Sequence, residues 1–208
     1  MGSHEHIDAT GDDQYVVVGT MLGVLPGDDD GQDSQGWTWS VRIGTSVARV
    51  TADLARSWLF FATPRSVHDL AADEPDWERH LNALLADNIV VRIPRTADAP
   101  ELERLLTLRA MSTGFGAGRR SPDEAVYELY LPSVGNGPVA ALDATDYAIW
   151  ISLDGSRAIR DCLEEGWPED QTAEAYARLH IVIPALLEKG LIRLDEVVPA
   201  TQHYGGDK

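Results

Sequence analysis

The strongest constraint on the fold of this chain is internal: residues 139–163, VAALDATDYAIWISLDGSRAIRDCL, repeat the pattern of residues 47–70, VARVTADLARSWLFFATPRSVHDL, ninety-two positions earlier. Without a gap, Val47, Ala48, Ala52, Trp58, Arg65 and Asp69 fall on Val139, Ala140, Ala144, Trp150, Arg157 and Asp161. Val50, Leu59, Phe61 and Val67 fall on Leu142, Ile151, Leu153 and Ile159. Apolar positions are thus kept even where identity is not, as a shared core demands. The correspondence resumes after ten extra residues in the second copy, where residues 83–90 match residues 185–192. Asn88 then falls on Gly190, the two residue types that most readily take positive φ after a helix end, and an apolar run follows each. The chain is therefore predicted to be a duplication, each copy running strand, short helix, short helix, longer helix, strand.

A chain of 208 residues divided this way gives two domains of about 80 to 90 residues, near the lower end of comfortable core size, so the copies are expected to pack on each other. No run reaches the ~18 apolar residues of a membrane span, and the N-terminus lacks the basic start and apolar centre of a signal peptide. A cytoplasmic location is the expectation. The single cysteine, Cys162, excludes an intramolecular disulfide and a cysteine zinc cluster; it falls where Leu70 stands in the first copy, the position of a buried thiol. Net charge is −17, and residues 1–36 hold eight acidic residues and no Lys or Arg. Such a chain repels nucleic acid and anionic membrane as a whole.

Residues 1–13 are polar and predicted to be a disordered tail, like residues 200–208. Residues 15–25 are β-rich and interrupted by glycines, and an acidic loop over 26–36 leads to the next strand. That loop has the aspartates of a calcium site without its twelfth-position glutamate or flanking helices, so it reads as a hairpin loop. Thr51 and Asp143 are the predicted N-caps of the first helix in each copy, and Thr63-Pro64 is the predicted start of the second helix in the first copy. Trp77, Leu81, Leu84 and Leu85 form a stripe on one third helix; Leu179, Ile183, Leu186 and Leu187 do so on the other. Pro184 deletes the hydrogen bond to the His180 carbonyl and is predicted to kink its helix and open a groove. Residues 98–113 read as a connecting helix with Leu102, Leu105 and Leu106 on one side, followed by a glycine-rich loop, GFGAGRRSP. Arg119 and Arg120, the only adjacent basic pair, are a candidate docking point for an acidic partner or for the N-terminal segment. Ser66, His68 and Asp69 hold the letters of a hydrolase triad, but neighbours on one short helix cannot form its geometry.

The second copy resembles the small winged-helix domain of the PqqD family, a module that recognises leader peptides in ribosomal peptide maturation. The resemblance rests on Asp143-Ala144-Thr145 after a hairpin, Asp154-Gly155-Ser156-Arg157 before the second helix, and Glu188-Lys189-Gly190-Leu191-Ile192 at the end. It spans residues 127–195. The first copy departs from that pattern, with Ala62-Thr63 in place of Asp-Gly and Asp87-Asn88 in place of Lys-Gly. The implied architecture is α+β: a winged-helix domain over 14–95, a linker helix and glycine-rich loop over 96–122, and a PqqD-like winged-helix domain over 123–199, each a small antiparallel hairpin or sheet plus three helices.

What the resemblance implies for function is an extended peptide adding to the hairpin strand beside the third helix, in a groove lined by Val139, Ala140, Ala141, Leu142, Tyr176, Leu179, His180 and Ile183. A small sheet has an unpaired edge that can accept such a strand. Two other readings stand beside it: a winged-helix transcription regulator, and an acidic subunit of a larger assembly. The charges argue against DNA, because the third helices carry Arg79, Arg178 and Lys189 against seven carboxylates. No metal-ligand spacing, nucleophile elbow or close carboxylate pair stands out, so no cofactor and no catalysis are expected.

Overall fold

The computed structural model describes residues 13–26, 37–72, 76–121, 124–132, 135 and 137–198. The first half runs β1 (Gln14–Val17), β2 (Thr20–Pro26), β3 (Trp37–Ile43), β4 (Ser46–Val50), α1 (Ala52–Phe60), β5 (Arg65–Ser66), α2 (Val67–Ala71), α3 (Trp77–Ala86) and β6 (Val90–Arg92). After α4 (Glu101–Leu106), the second half runs β7 (Leu108–Ser112), β8 (Phe115–Ser121), β9 (Glu124–Tyr130), β10 (Ala140–Leu142), α5 (Ala144–Ser152), α6 (Ile159–Gly166), α7 (Glu169–Glu188) and β11 (Ile192–Glu196). The protein is a mixed α+β structure with small antiparallel sheets. Each half holds a three-stranded meander, β2-β3-β4 or β8-β9-β10, and an opening strand paired antiparallel with the closing one, β1 with β6 and β7 with β11. The order of elements therefore recurs, with the two-residue β5 answered in the second half by an isolated bridge between Met111 and Asp154.

Local chemistry explains the recurrence. The Thr51 side chain accepts from the Leu54 N–H at 3.3 Å and Asp143 from the Asp146 N–H at 2.8 Å, each satisfying an orphan donor of its helix. At the far ends, Asn88 and Gly190 have φ of 56° and 67°. The following amides then reach back five residues, Ile89 to the Leu84 carbonyl and Leu191 to that of Leu186, so both third helices close with the same left-handed turn. Trp58 and Trp150 are both buried, and Cys162 is a buried thiol.

Four expectations are corrected. The connecting helix predicted over residues 98–113 is helical only in α4; Leu108 and Ala110 then turn inward every second residue as β7 pairs with β11. The glycine-rich stretch is strand β8, paired with β9, rather than a loop. Its glycine has a packing reason: a Cβ on Gly116 would lie 2.6 Å from the Tyr147 hydroxyl, so the bare backbone admits the aromatic side chains of α5. Thr63-Pro64 does not begin α2, which starts after Ser66, because Arg65 is held extended opposite Tyr15. The expected tail also ends one residue early: Asp13 is buried and its carboxylate meets Arg92 and Arg95 at 2.6 and 2.9 Å. Residues 1–12, the acidic loop over 27–36 and residues 199–208 lie outside the described residues.

The halves interlock. Val16, Val18, Val91 and Ile93 of the first half lie in the core of the second, with Leu102, Leu105 and Leu106 of α4. Val18 bridges Leu194 in parallel, and the Gly19 N–H donates to the Leu194 carbonyl at 2.9 Å. The polar centre of this junction is Asp195, fully buried. It accepts from the Gly44 N–H at 2.7 Å, its neighbour Glu196 at 2.9 Å and the Arg109 guanidinium at 2.7 Å. Around it, α4 reaches both halves through Glu101 to Arg92 and Glu103 to Arg160. Among the described residues no helix is long and apolar enough to cross a membrane.

Candidate functional site

Strand β10 is the outer strand of its sheet: Ala140, Ala141 and Leu142 lie opposite Leu129, Glu128 and Tyr127 of β9, and no described strand pairs with the other edge. Val139, Ala140 and Leu142 are half-buried against the second core, whereas Ala141 is exposed. The Val139 N–H donates to the Leu129 carbonyl at 2.8 Å. Leu129 thus turns its carbonyl toward β10, so its register partner Ala140 turns its own N–H back toward β9, and the amide at the open edge is that of Ala141.

The residues expected from α7 are placed on different surfaces. Leu179 and Ile183 are fully buried and belong to the core. Tyr176 is half-buried and its hydroxyl donates to Glu164 of α6 at 3.2 Å. Burial first, and then the Glu164 carboxylate, pushes its phenol up to about 12. The Asp98 carboxyl is held below the usual range by the Thr96 hydroxyl, its own backbone and, in smaller part, by the His180 imidazole. Its Nδ1 is buried without a partner. The structure thus gathers Val139 and the three β10 residues at one edge, sets Leu179 and Ile183 inside, turns Tyr176 toward α6 and leaves the His180 Nδ1 buried. Arg119 and Arg120 belong to the β8 backbone, with Arg119 opposite Tyr127; their side chains lie outside the described residues.

The α7 side chain that hydrogen-bonds just beyond the end of β10 is Arg178. Its Nε donates to Asp146 at 2.6 Å and its Nη2 to Asp143 at 2.7 Å, the residue that directly follows β10. Spacing held the signal: Arg178 is two positions from Tyr176, about 200° around a helix, so the two cannot share a face. Strand alternation held another. Tyr127 and Leu129 face α5, where Tyr127 stacks on Tyr147 at 4.2 Å, so Glu128 and Tyr130 face outward. There Tyr130 stacks on Phe115 at 5.7 Å and donates its hydroxyl to Glu128 at 2.7 Å. The acceptor holds this phenol above its ordinary value.

Other chemically loaded groups are satisfied inside the fold. The Ser66 hydroxyl donates to Asp69 at 3.1 Å, a local link at the start of α2. The Ser57 hydroxyl lies 3.1 Å from His80 Nδ1, both residues are buried, and the neighbour of Nε2 is the Arg79 guanidinium at 3.4 Å rather than a carboxylate. The same repeat positions in the second half hold Ile149 and Val182, so this pair fills a core slot. The Asp154 carboxylate accepts from Ser156 and Arg157, tying down the Asp-Gly turn before α6. A cleft of about 620 Å³ lies between residues 63–69 and the Ile181, Pro184, Ala185 and Glu188 stripe of α7. Among the described residues, no three His, Cys, Asp or Glu side chains are grouped as a metal would need. Comparison with protein-family models, curated proteins and solved structures returns no match to this chain.

Proposed function

We propose that this is a tandem winged-helix protein that binds a peptide or protein partner without catalysing a reaction on it. The setting implied by the PqqD-like pattern of the second half is recognition of a precursor peptide in ribosomal peptide maturation. The observation that carries the reading is the edge of β10: three residues with small or half-buried side chains, closed on one side by β9 and, among the described residues, unpaired on the other. Main-chain groups on such an edge supply affinity to an added strand, and the side chains beside it supply selectivity. The third helices offer little to DNA, since Arg79 is tied to Asp76 and Arg178 to Asp143 and Asp146. A duplex-reading face needs arginines free for phosphates.

One observation favours the second reading, a subunit of an assembly. Leu59 and Ile151 occupy the same repeat position and are exposed at 47 % and 58 %. Hydrogen exchange with a candidate precursor peptide separates the two readings. New protection at residues 139–142 is expected for strand addition, and Ala141→Pro, which removes the edge-facing donor, should abolish it while leaving the melting temperature nearly unchanged. Saturating peptide that protects α1 and α5 but not β10 overturns the strand-addition reading in favour of the assembly subunit.

A further inference from the structure

We infer that the junction of the two halves holds a site for a small apolar carboxylic acid, with an apolar floor shared by both halves and Arg193 as its cation. The site is independent of the β10 edge and arises where one strand pairing stops short. Val18 bridges Leu194 in parallel and the Gly19 N–H donates to the Leu194 carbonyl. The Val17 N–H, which a second rung would turn to Ile192, goes instead to the Phe61 carbonyl at 3.0 Å. Beyond that single rung the two segments part around a cavity of about 200 Å³. Its floor is buried and apolar: Val16 and Trp58 come from the first half, Leu187, Ile192 and Leu194 from the second. Trp58 is fixed there by its indole N–H, which donates to the Ile89 carbonyl at 3.1 Å. At close packing, about 20 Å³ for each non-hydrogen atom, the cavity takes roughly ten such atoms, the size of one ring or branched chain with a polar group.

Charge decides what that polar group is. The chain has 34 acidic residues against 17 Lys and Arg, yet no Asp or Glu lines this cavity and one arginine does. Strand β11 offers Ile192, Arg193 and Leu194 in succession, so the cavity runs along the strand's edge, where residues of both faces reach it. Arg193 is exposed and, among the described residues, holds no carboxylate, whereas Arg104 is tied to Glu196 and Arg109 to Asp195 in the same junction. Ala62 is exposed and Val17 and Met21 are half-buried, so the rim opens to solvent. A ligand that lays an apolar body on the floor and a carboxylate against Arg193 satisfies both ends. An amine in the same place would meet like charge.

Three probes test this: phenylacetate, its neutral counterpart phenylacetamide, and acetate, which has the charge without the apolar body. Each is titrated into the whole chain at about 150 mM salt, where the field of the acidic protein is largely screened, and methyl NMR spectra report both affinity and place. Phenylacetate is expected to shift the methyls of Val16, Leu187, Ile192 and Leu194, to bind about fivefold more tightly than phenylacetamide, and to leave acetate without a measurable effect. Arg193→Gln should erase that gap and leave the affinity for phenylacetamide unchanged. Shifts confined to other methyls, or no saturation by either aromatic probe at about 20 mM, overturn the site. Equal binding of the acid and the amide at these methyls overturns the carboxylate, and a preference for the acid that survives Arg193→Gln overturns the part given to Arg193. Acetate that matches phenylacetate overturns the apolar floor. A thermal melt of Arg193→Gln, expected to match the unaltered protein, guards against loss of fold.

Discussion

Asp195→Ala is the most informative single perturbation, because that carboxylate is fully buried where the two halves meet. Removing it strands the Arg109 guanidinium, only 16 % exposed, and leaves the Gly44 N–H without its acceptor. Breaking a buried ion pair from one side costs about 3 to 5 kcal/mol, and an orphaned buried N–H about 1 to 3. These overlap because both report the same lost carboxylate, so the expected loss is about 4 kcal/mol, a large share of the roughly 5 to 15 kcal/mol of a typical domain. Asp195→Asn keeps an acceptor for Gly44 but turns an amide toward Arg109, and should cost about half as much. The assay is urea unfolding followed by tryptophan fluorescence, with hydrogen exchange at Gly44. Adding Arg109→Met to Asp195→Ala should recover about 2 kcal/mol relative to the sum of the single changes, since the stranded cation is then gone. A loss below about 1 kcal/mol for Asp195→Ala, with the Gly44 amide still protected, would refute the claim that this carboxylate holds the halves together.

Two further outcomes are expected. Gly190 has φ of 67° and no atom within 4 Å of an added Cβ, so Gly190→Val should cost about 1 to 2 kcal/mol through backbone strain alone. Gly190→Asn should cost clearly less in the same urea series, as Asn88 holds the matching turn of the first half. At Asp154, burial raises the carboxyl pKa, but hydrogen bonds from the Ser156 amide, the Arg157 side chain, the Ser156 hydroxyl and the Arg157 amide outweigh it and hold the group far below its ordinary 3.8. A depressed folded value means stabilisation that is present above pH 3.8 and lost as the pH falls toward the folded pKa. The melting-temperature gap between the unaltered protein and Asp154→Asn should therefore be widest near neutrality and shrink below about pH 4; a gap that grows on acidification contradicts the assignment.

The parts of the fold legible in the sequence are those set by chemistry within a few residues. Thr51 and Asp143 cap their helices because their side chains reach an amide three residues on, and Asn88 and Gly190 end theirs because they tolerate positive φ. The apolar stripes of α3 and α7 follow from helical periodicity alone. Residues 108–121 were not legible as strands, since their pairing depends on β11 and β9 rather than on local propensity. The Gly116 position looks like a loop until Tyr147 and Trp150 are seen packed over it. Thr63-Pro64 carries a sound helix-start signal that pairing of Arg65 with Tyr15 overrides.

The same division holds at the candidate site. Sequence by itself pointed to a returning strand over Val139 to Leu142, which begins at Ala140 in the structure, and to Asp143 as the start of the helix behind it. Only the tertiary structure decided that this strand is an edge, that Leu179 and Ile183 are core, and that Arg178 rather than Tyr176 closes on Asp143. It also decided that Glu128 and Tyr130 stand outward beside Ala141. The physical reason is that local hydrogen bonding and periodicity fix which elements form, whereas the exposure of an edge and the neighbours of a side chain are fixed by elements far away in the chain. Gly44 and Asp195 state it most plainly: 151 positions apart, they share a 2.7 Å hydrogen bond that no local pattern announces.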